Sequence, residues 1–129
     1  MVFILTLICG VPNAGKTTFS KQYLNALHQD DIGTEDRVLD AVRQIDGDAV
    51  IEGYFGTKDI RRKILNAYDG NTKCIFLDIS VDESIQRENR GRHEIILRNA
   101  FRRFEPPTLD EGWDEIIIIR GEHEQHCYR

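Results

Sequence analysis

A three-layer α/β fold, in which a small parallel sheet of four to five strands carries helices on both faces, is predicted by three features of the sequence. Apolar runs at residues 2–9, 49–51, 74–79 and 116–119 have the length and branched content of buried strands. Segments with helical spacing lie between them, and strand–helix alternation is the pattern of parallel crossover units. The third feature is Gly10-Val11-Pro12-Asn13-Ala14-Gly15-Lys16-Thr17, a glycine, four residues and Gly-Lys-Thr set directly after the first apolar run.

That stretch is a P-loop, and its residue types follow from its chemistry. The two glycines let the backbone turn tightly enough to aim successive N–H groups at a phosphate, and the helix starting at Lys16 adds its positive dipole end. Lys16 reaches toward the β and γ phosphates, and the Thr17 hydroxyl is placed to ligate Mg²⁺. The segment from Gly10 to Thr18 is therefore the expected binding site for ATP and Mg²⁺, in a P-loop NTPase sandwich.

The rest of the composition narrows the class. At 129 residues the chain is expected to be one domain with a single core and few insertions. A net charge of −5 disfavours non-specific binding along a nucleic-acid backbone, which needs many Lys and Arg contacts, but leaves room for a local basic site. Cys9, Cys74 and Cys127 have no metal or redox spacing, and they read as reduced thiols, two of them in core strands. The apolar start lacks a basic flank and runs into the P-loop, so it reads as a strand rather than a signal peptide. No stretch approaches the roughly 20 apolar residues of a membrane span. A cytoplasmic enzyme without membrane contact is expected.

In chain order, Phe19, Tyr23, Leu24 and Leu27 predict a helix from Lys16 to about His28 packed on the sheet. A second strand near residues 28–31 is expected to be vestigial or absent. Thr34 can cap a helix whose inner face is Val38, Leu39, Val42 and Ile45 and which ends at Asp46-Gly47. Glu52-Gly53-Tyr54-Phe55-Gly56 lies at the C-terminal end of the next strand, the edge where ligands bind in open α/β sheets. Thr57 caps a helix turning Ile60, Ile64, Leu65 and Tyr68 inward and closed by Asp69-Gly70-Asn71, and Ser80 with Glu83 has capping-box spacing for the following one. A basic cluster comes next, Gln86-Arg87-Glu88-Asn89-Arg90-Gly91-Arg92-His93. The helix after it places Leu97, Ala100, Phe101 and Phe104 on one face and stops at Glu105-Pro106-Pro107. Residues 121–129, with two histidines and a cysteine, read as a solvated end rather than a metal site.

A P-loop is shared by kinases, ATPases and GTPases. The Asn-Lys-x-Asp guanine-reading sequence is missing, and Ala49-Val50-Ile51-Glu52 is only a weak match to the apolar run ending in an acid that motor ATPases carry. An arginine cluster between two late helices fits a phosphoryl-transfer kinase, which closes a mobile lid of Arg side chains over the transferring phosphate. Residues 1–129 are thus expected to form a single P-loop kinase domain. Its partners would be ATP and either a nucleic-acid 5′ end or a small hydroxyl substrate.

Taken together, the P-loop, Asp30-Asp31, Arg61-Arg62, Gln86 to Gly91 and the stretch Phe104-Glu105-Pro106-Pro107-Thr108-Leu109-Asp110-Glu111-Gly112-Trp113-Asp114-Glu115-Ile116 resemble the polynucleotide 5′-kinase domain, in the same order over nearly the whole chain. The resemblance implies that Lys16 and Thr17 hold ATP·Mg²⁺, that Asp30 is the general base for a 5′-hydroxyl, and that Arg87 and Arg90, or Arg92, brace the donor phosphates. It implies an adenine-side or structural role for the loop from Phe104. Two departures fall on the acceptor side. Gly33 stands where the family has Arg, with Arg37 the nearest substitute, and Glu52-Gly53-Tyr54 replaces an Asp-x-Asn-like stretch. A small-molecule kinase acting on a sugar, nucleoside or antibiotic hydroxyl and a non-catalytic ATP-binding module remain as alternatives.

Overall fold

The computed structural model describes residues 2–129. Six strands, β1 (Ile4–Cys9), β2 (Leu27–His28), β3 (Ala49–Gly53), β4 (Asn71–Leu77), β5 (Glu115–Arg120) and β6 (His123–Tyr128), form one sheet in the order β2-β3-β1-β4-β5-β6. All neighbouring pairs are parallel except β5 with β6. The helices are α1 (Lys16–Ser20), α2 (Gln29–Ile32), α3 (Glu35–Arg43), α4 (Lys58–Ala67), α5 (Val81–Gln86) and α6 (Glu94–Arg103).

Alternation along β1 divides its side chains between two cores, as a strand buried on both faces requires. Leu5, Leu7 and Cys9 join Val38, Leu39 and Val42 of α3 and Ile64 of α4 on one face. Ile8 joins Val11, Ala14, Ile75 and Ile117 on the other, where Phe19 and Tyr23 pack. Helices therefore lie on both faces as expected, and Thr34, Thr57 and Ser80 each accept from a backbone N–H three residues on. Cys9 and Cys74 are free and buried, with their sulfurs 3.8 Å apart. Among the described residues no helix is long and apolar enough to cross a membrane.

Four expectations are corrected. The first helix ends at Ser20, whose hydroxyl donates to the Thr17 carbonyl at 2.7 Å, and the chain continues in tight turns that reverse at Asn25, φ +59°. Leu27 has helical spacing from Tyr23 but pairs with Ile51 in β2, and Leu24 is left 90% exposed. Residues 123–128 are not a loose end but β6, paired antiparallel from Arg120↔His123 to Glu115↔Tyr128. With β6 and the two-residue β2, the sheet has six strands rather than four to five. The helix closed in expectation by Asp69-Gly70-Asn71 ends at Ala67, and Asn71 already belongs to β4.

The stretch from Phe104 to Ile116 has a structural task. Glu111 and Arg61 form a fully buried pair, with Nε donating to Oε1 at 2.7 Å and Nη2 to Oε2 at 3.1 Å. Glu111 also accepts from the Thr108 backbone N–H at 2.8 Å and from the indole N–H of Trp113 at 3.2 Å. Burial pushes the Glu111 carboxyl up, but its hydrogen bonds to Arg61 and Thr108 outweigh that and hold it below its ordinary value. The remaining arm of Arg61, Nη1, donates to the Phe55 carbonyl at 2.8 Å. Phe55 sits at φ +39°, a conformation that costs energy in a bulky residue and persists where its surroundings hold it.

Candidate active site

Strand order places the site. β1 and β4 are neighbours at the middle of the sheet, and the crossover from β1 runs to β2 on one side while that from β4 runs to β5 on the other, which opens a crevice at the carboxyl ends of the strands. A cavity of about 480 Å³ occupies that crevice. Its lining includes Pro12 through Thr18 on the P-loop side, Asp30, Glu52, Gly53 and Tyr54 on the second, and Arg87, Asn89, Arg90 and Arg92 on the third.

The P-loop turns into α1 through Gly15 at φ +93°, a conformation that favours glycine. Nζ of Lys16 donates to the carbonyls of Gly10 at 2.7 Å and Val11 at 2.9 Å, so the ammonium is held in the curve of the loop. Burial pushes Lys16 down to about 8, against the opposing pull of Glu52 and Asp30. This carries a pH prediction. Phosphate oxygens favour the ammonium form, so above pH 8 the nucleotide-bound protein holds a proton that the free protein has lost. Nucleotide affinity is therefore expected to be flat in this group between pH 7 and 8 and to fall about tenfold per unit above that, a trend absent from Lys16→Met in calorimetric titrations. The sign for folding is opposite. The unfolded lysine keeps its proton to about 10.5, so the cost of burying the charge is relieved as pH rises from 8 toward that value.

Asp30 is brought to the site by a side chain that sequence reading passed over. Oε1 of Gln29 accepts from the Tyr54 backbone N–H at 2.9 Å, fastening α2 to the end of β3. A Cβ on Gly53 would lie 2.3 Å from that same Gln29 oxygen, so glycine is required for the close approach. Asp30 then faces the cavity with its carboxylate exposed, while Asp31 is absent from the lining.

Glu52 is the second carboxylate of the site. It is 6% exposed, and its Oε1 lies 2.7 Å from Nδ1 of His28. An ionised carboxylate only accepts, so the imidazole donates from Nδ1. Its place at the carboxyl end of β3 put Glu52 at the ligand-binding edge in the sequence, but its pairing with His28 was not legible there.

The three arginines all line the cavity, but they are not equivalent. Arg87 and Arg92 are bonded to the P-loop residue Asn13, at 3.1 Å to its carbonyl and 3.0 Å to its side-chain oxygen. Arg90 makes no ion pair among the described residues, although its backbone N–H donates to Glu88 at 3.0 Å. Chemically, the cavity concentrates positive charge at the P-loop and the arginine segment, and sets two carboxylates opposite.

No protein-family model and no curated protein matches the chain. Solved structures do. A gluconokinase from Sinorhizobium meliloti 1021 is similar with a TM-score of 0.71 at 15% identity, over 88% of this chain and 80% of that one. The protein APE1195 is similar with a TM-score of 0.62 at 19% identity, over 94% and 86% of the two chains. Neither identifies the polynucleotide kinase family. What the likeness shows is the fold alone, which this chain shares with that gluconokinase.

Proposed function

We propose that this protein transfers the γ-phosphoryl group of ATP to a hydroxyl acceptor, with the 5′-hydroxyl end of a polynucleotide as the acceptor. The observation that carries the reading is the convergence on one cavity of a P-loop, an accessible carboxylate and three arginines from separate parts of the chain. The loop suits a phosphate, because the Lys16 ammonium is held only by main-chain carbonyls of its own loop, which phosphate oxygens can replace. Thr17, exposed in the first turn of α1, would hold Mg²⁺. When bound, the metal supplies neutralisation of the phosphate charge.

The residues then divide the work. Lys16 holds the donor phosphates, and Arg87, Arg90 and Arg92 supply positive charge along the opposite wall. Asp30 accepts the proton of the attacking hydroxyl as it is lost. Glu52, fixed by His28, keeps a negative charge near Lys16 and sustains its ammonium form.

The 5′-end assignment rests on the sequence resemblance, and a small hydroxyl acceptor is the second reading, favoured by the likeness to a gluconokinase. A panel with γ-labelled ATP separates them. Label is expected on 5′-hydroxyl oligonucleotides. Label on gluconate, nucleosides or aminoglycosides alone would replace that acceptor with a small one, and label on no acceptor would reduce the chain to a nucleotide-binding module.

A further inference from the structure

Asn13 occupies a P-loop position with φ +67°, where few residues other than glycine are at ease and asparagine is one of them. Its side chain is fully used. Nδ2 donates to the Ser84 carbonyl and to Oε1 of Glu88, both at 2.9 Å, and Oδ1 accepts from Nη2 of Arg92 at 3.0 Å. Its own carbonyl accepts from Nη1 of Arg87 at 3.1 Å.

The groups around it are tied in turn. The buried Ser84 hydroxyl donates to the Pro12 carbonyl at 2.7 Å, a second bond between α5 and the P-loop. Glu88 accepts from the backbone N–H groups of Arg90 at 3.0 Å and Arg92 at 2.9 Å and from Nε of Arg92 at 3.0 Å. Hydrogen bonds from Arg92 and Asn13 hold its carboxyl down at about 2, so it stays ionised at any ordinary pH. Arg87 is steadied by Glu83 at 2.7 Å.

We infer that Asn13 is a positioning residue that fastens the arginine segment, residues 87–93, to the P-loop before any ligand arrives. This wall of the cavity stands assembled and does not swing closed over the phosphates, in contrast to the mobile lid expected from the sequence. Arg87 and Arg92 are committed to the fastening, which leaves Arg90 as the guanidinium free to meet the donor phosphates. The purpose of the device rests on the nucleotide reading proposed above, whereas the fastening itself does not.

Asn13→Gly isolates the side chain, because glycine keeps the positive φ without strain and deletes every bond of the amide. The readout is trypsin cleavage after Arg87, Arg90 and Arg92, followed by mass spectrometry with and without ADP·Mg²⁺, and with cleavage after Lys58 as an internal reference. In the natural protein, cleavage in the segment is expected to be slow and nearly the same in both conditions. In Asn13→Gly it is expected to rise about tenfold without ligand, at this segment and not at Lys58, and to fall again with ADP·Mg²⁺. Cleavage at the natural rate in the ligand-free variant overturns the inference. So does a rise shared equally with Lys58, which reports general destabilisation, or strong protection of the natural protein by ADP·Mg²⁺, which reports a closing lid. Absence of ADP binding by titration, with the ligand-free difference intact, would count against the nucleotide reading alone.

Discussion

Asp30→Asn is expected to slow acceptor phosphorylation by about 10²–10⁴-fold while leaving ATP affinity nearly unchanged, the range that general-base catalysis supplies. The substitution keeps size and hydrogen bonding and removes basicity. Asp30 belongs to a helix anchored through Gln29 rather than through its own side chain, so its exposed carboxylate can be changed without disturbing the fold. Asp31, one residue on and outside the cavity lining, is the matched control, and Asp31→Asn is expected to retain most of the rate. Single-turnover rates with saturating ATP make the comparison. Near-normal turnover in Asp30→Asn would move the base to another carboxylate, with Glu52 next in line.

The largest stability effect is expected at a residue outside the cavity. Glu111→Ala leaves the Arg61 guanidinium buried without its partner, and breaking such a pair typically costs about 3–5 kcal/mol. Two further donors, the Thr108 backbone N–H and the Trp113 indole, lose their acceptor at the same time. A domain has about 5–15 kcal/mol in total, so the variant is expected to unfold at a much lower urea concentration. The damage should extend to the site, because Arg61 also holds the Phe55 carbonyl, next to Tyr54 in the cavity wall. Replacing the pair together by Arg61→Met and Glu111→Leu is not expected to restore full stability, since the Phe55 carbonyl and the Thr108 N–H would stay unpaired. A loss under about 1 kcal/mol in Glu111→Ala would contradict this account of the loop.

What was legible in the sequence was what is encoded locally. The P-loop, the caps at Thr34, Thr57 and Ser80, and the four apolar strands each announce themselves within a few neighbouring residues. The first helix was overextended because Leu27 satisfies helical spacing from Tyr23 while its actual partner, Ile51, lies on another strand. β6 was missed because its His-Glu-Gln-His start is exposed on both faces and shows no alternation. Arg61 and Glu111 stood out only as members of two separate motifs, and their pairing across 50 residues is a tertiary fact. Asn13 could be read as one variable position of the P-loop, but its bonds to residues more than 70 positions away could not.

The central claim is that this P-loop cavity moves phosphate to a hydroxyl group, and the most direct measurement follows label from γ-labelled ATP into a 5′-hydroxyl oligonucleotide with the natural protein and Lys16→Ala side by side. The Lys16 ammonium points into the loop rather than into either core, so the variant should stay folded by circular dichroism. The account predicts label on the acceptor with the natural protein and a near-complete loss with folded Lys16→Ala. Full transfer by Lys16→Ala, or none by the natural protein to any hydroxyl acceptor, would contradict it.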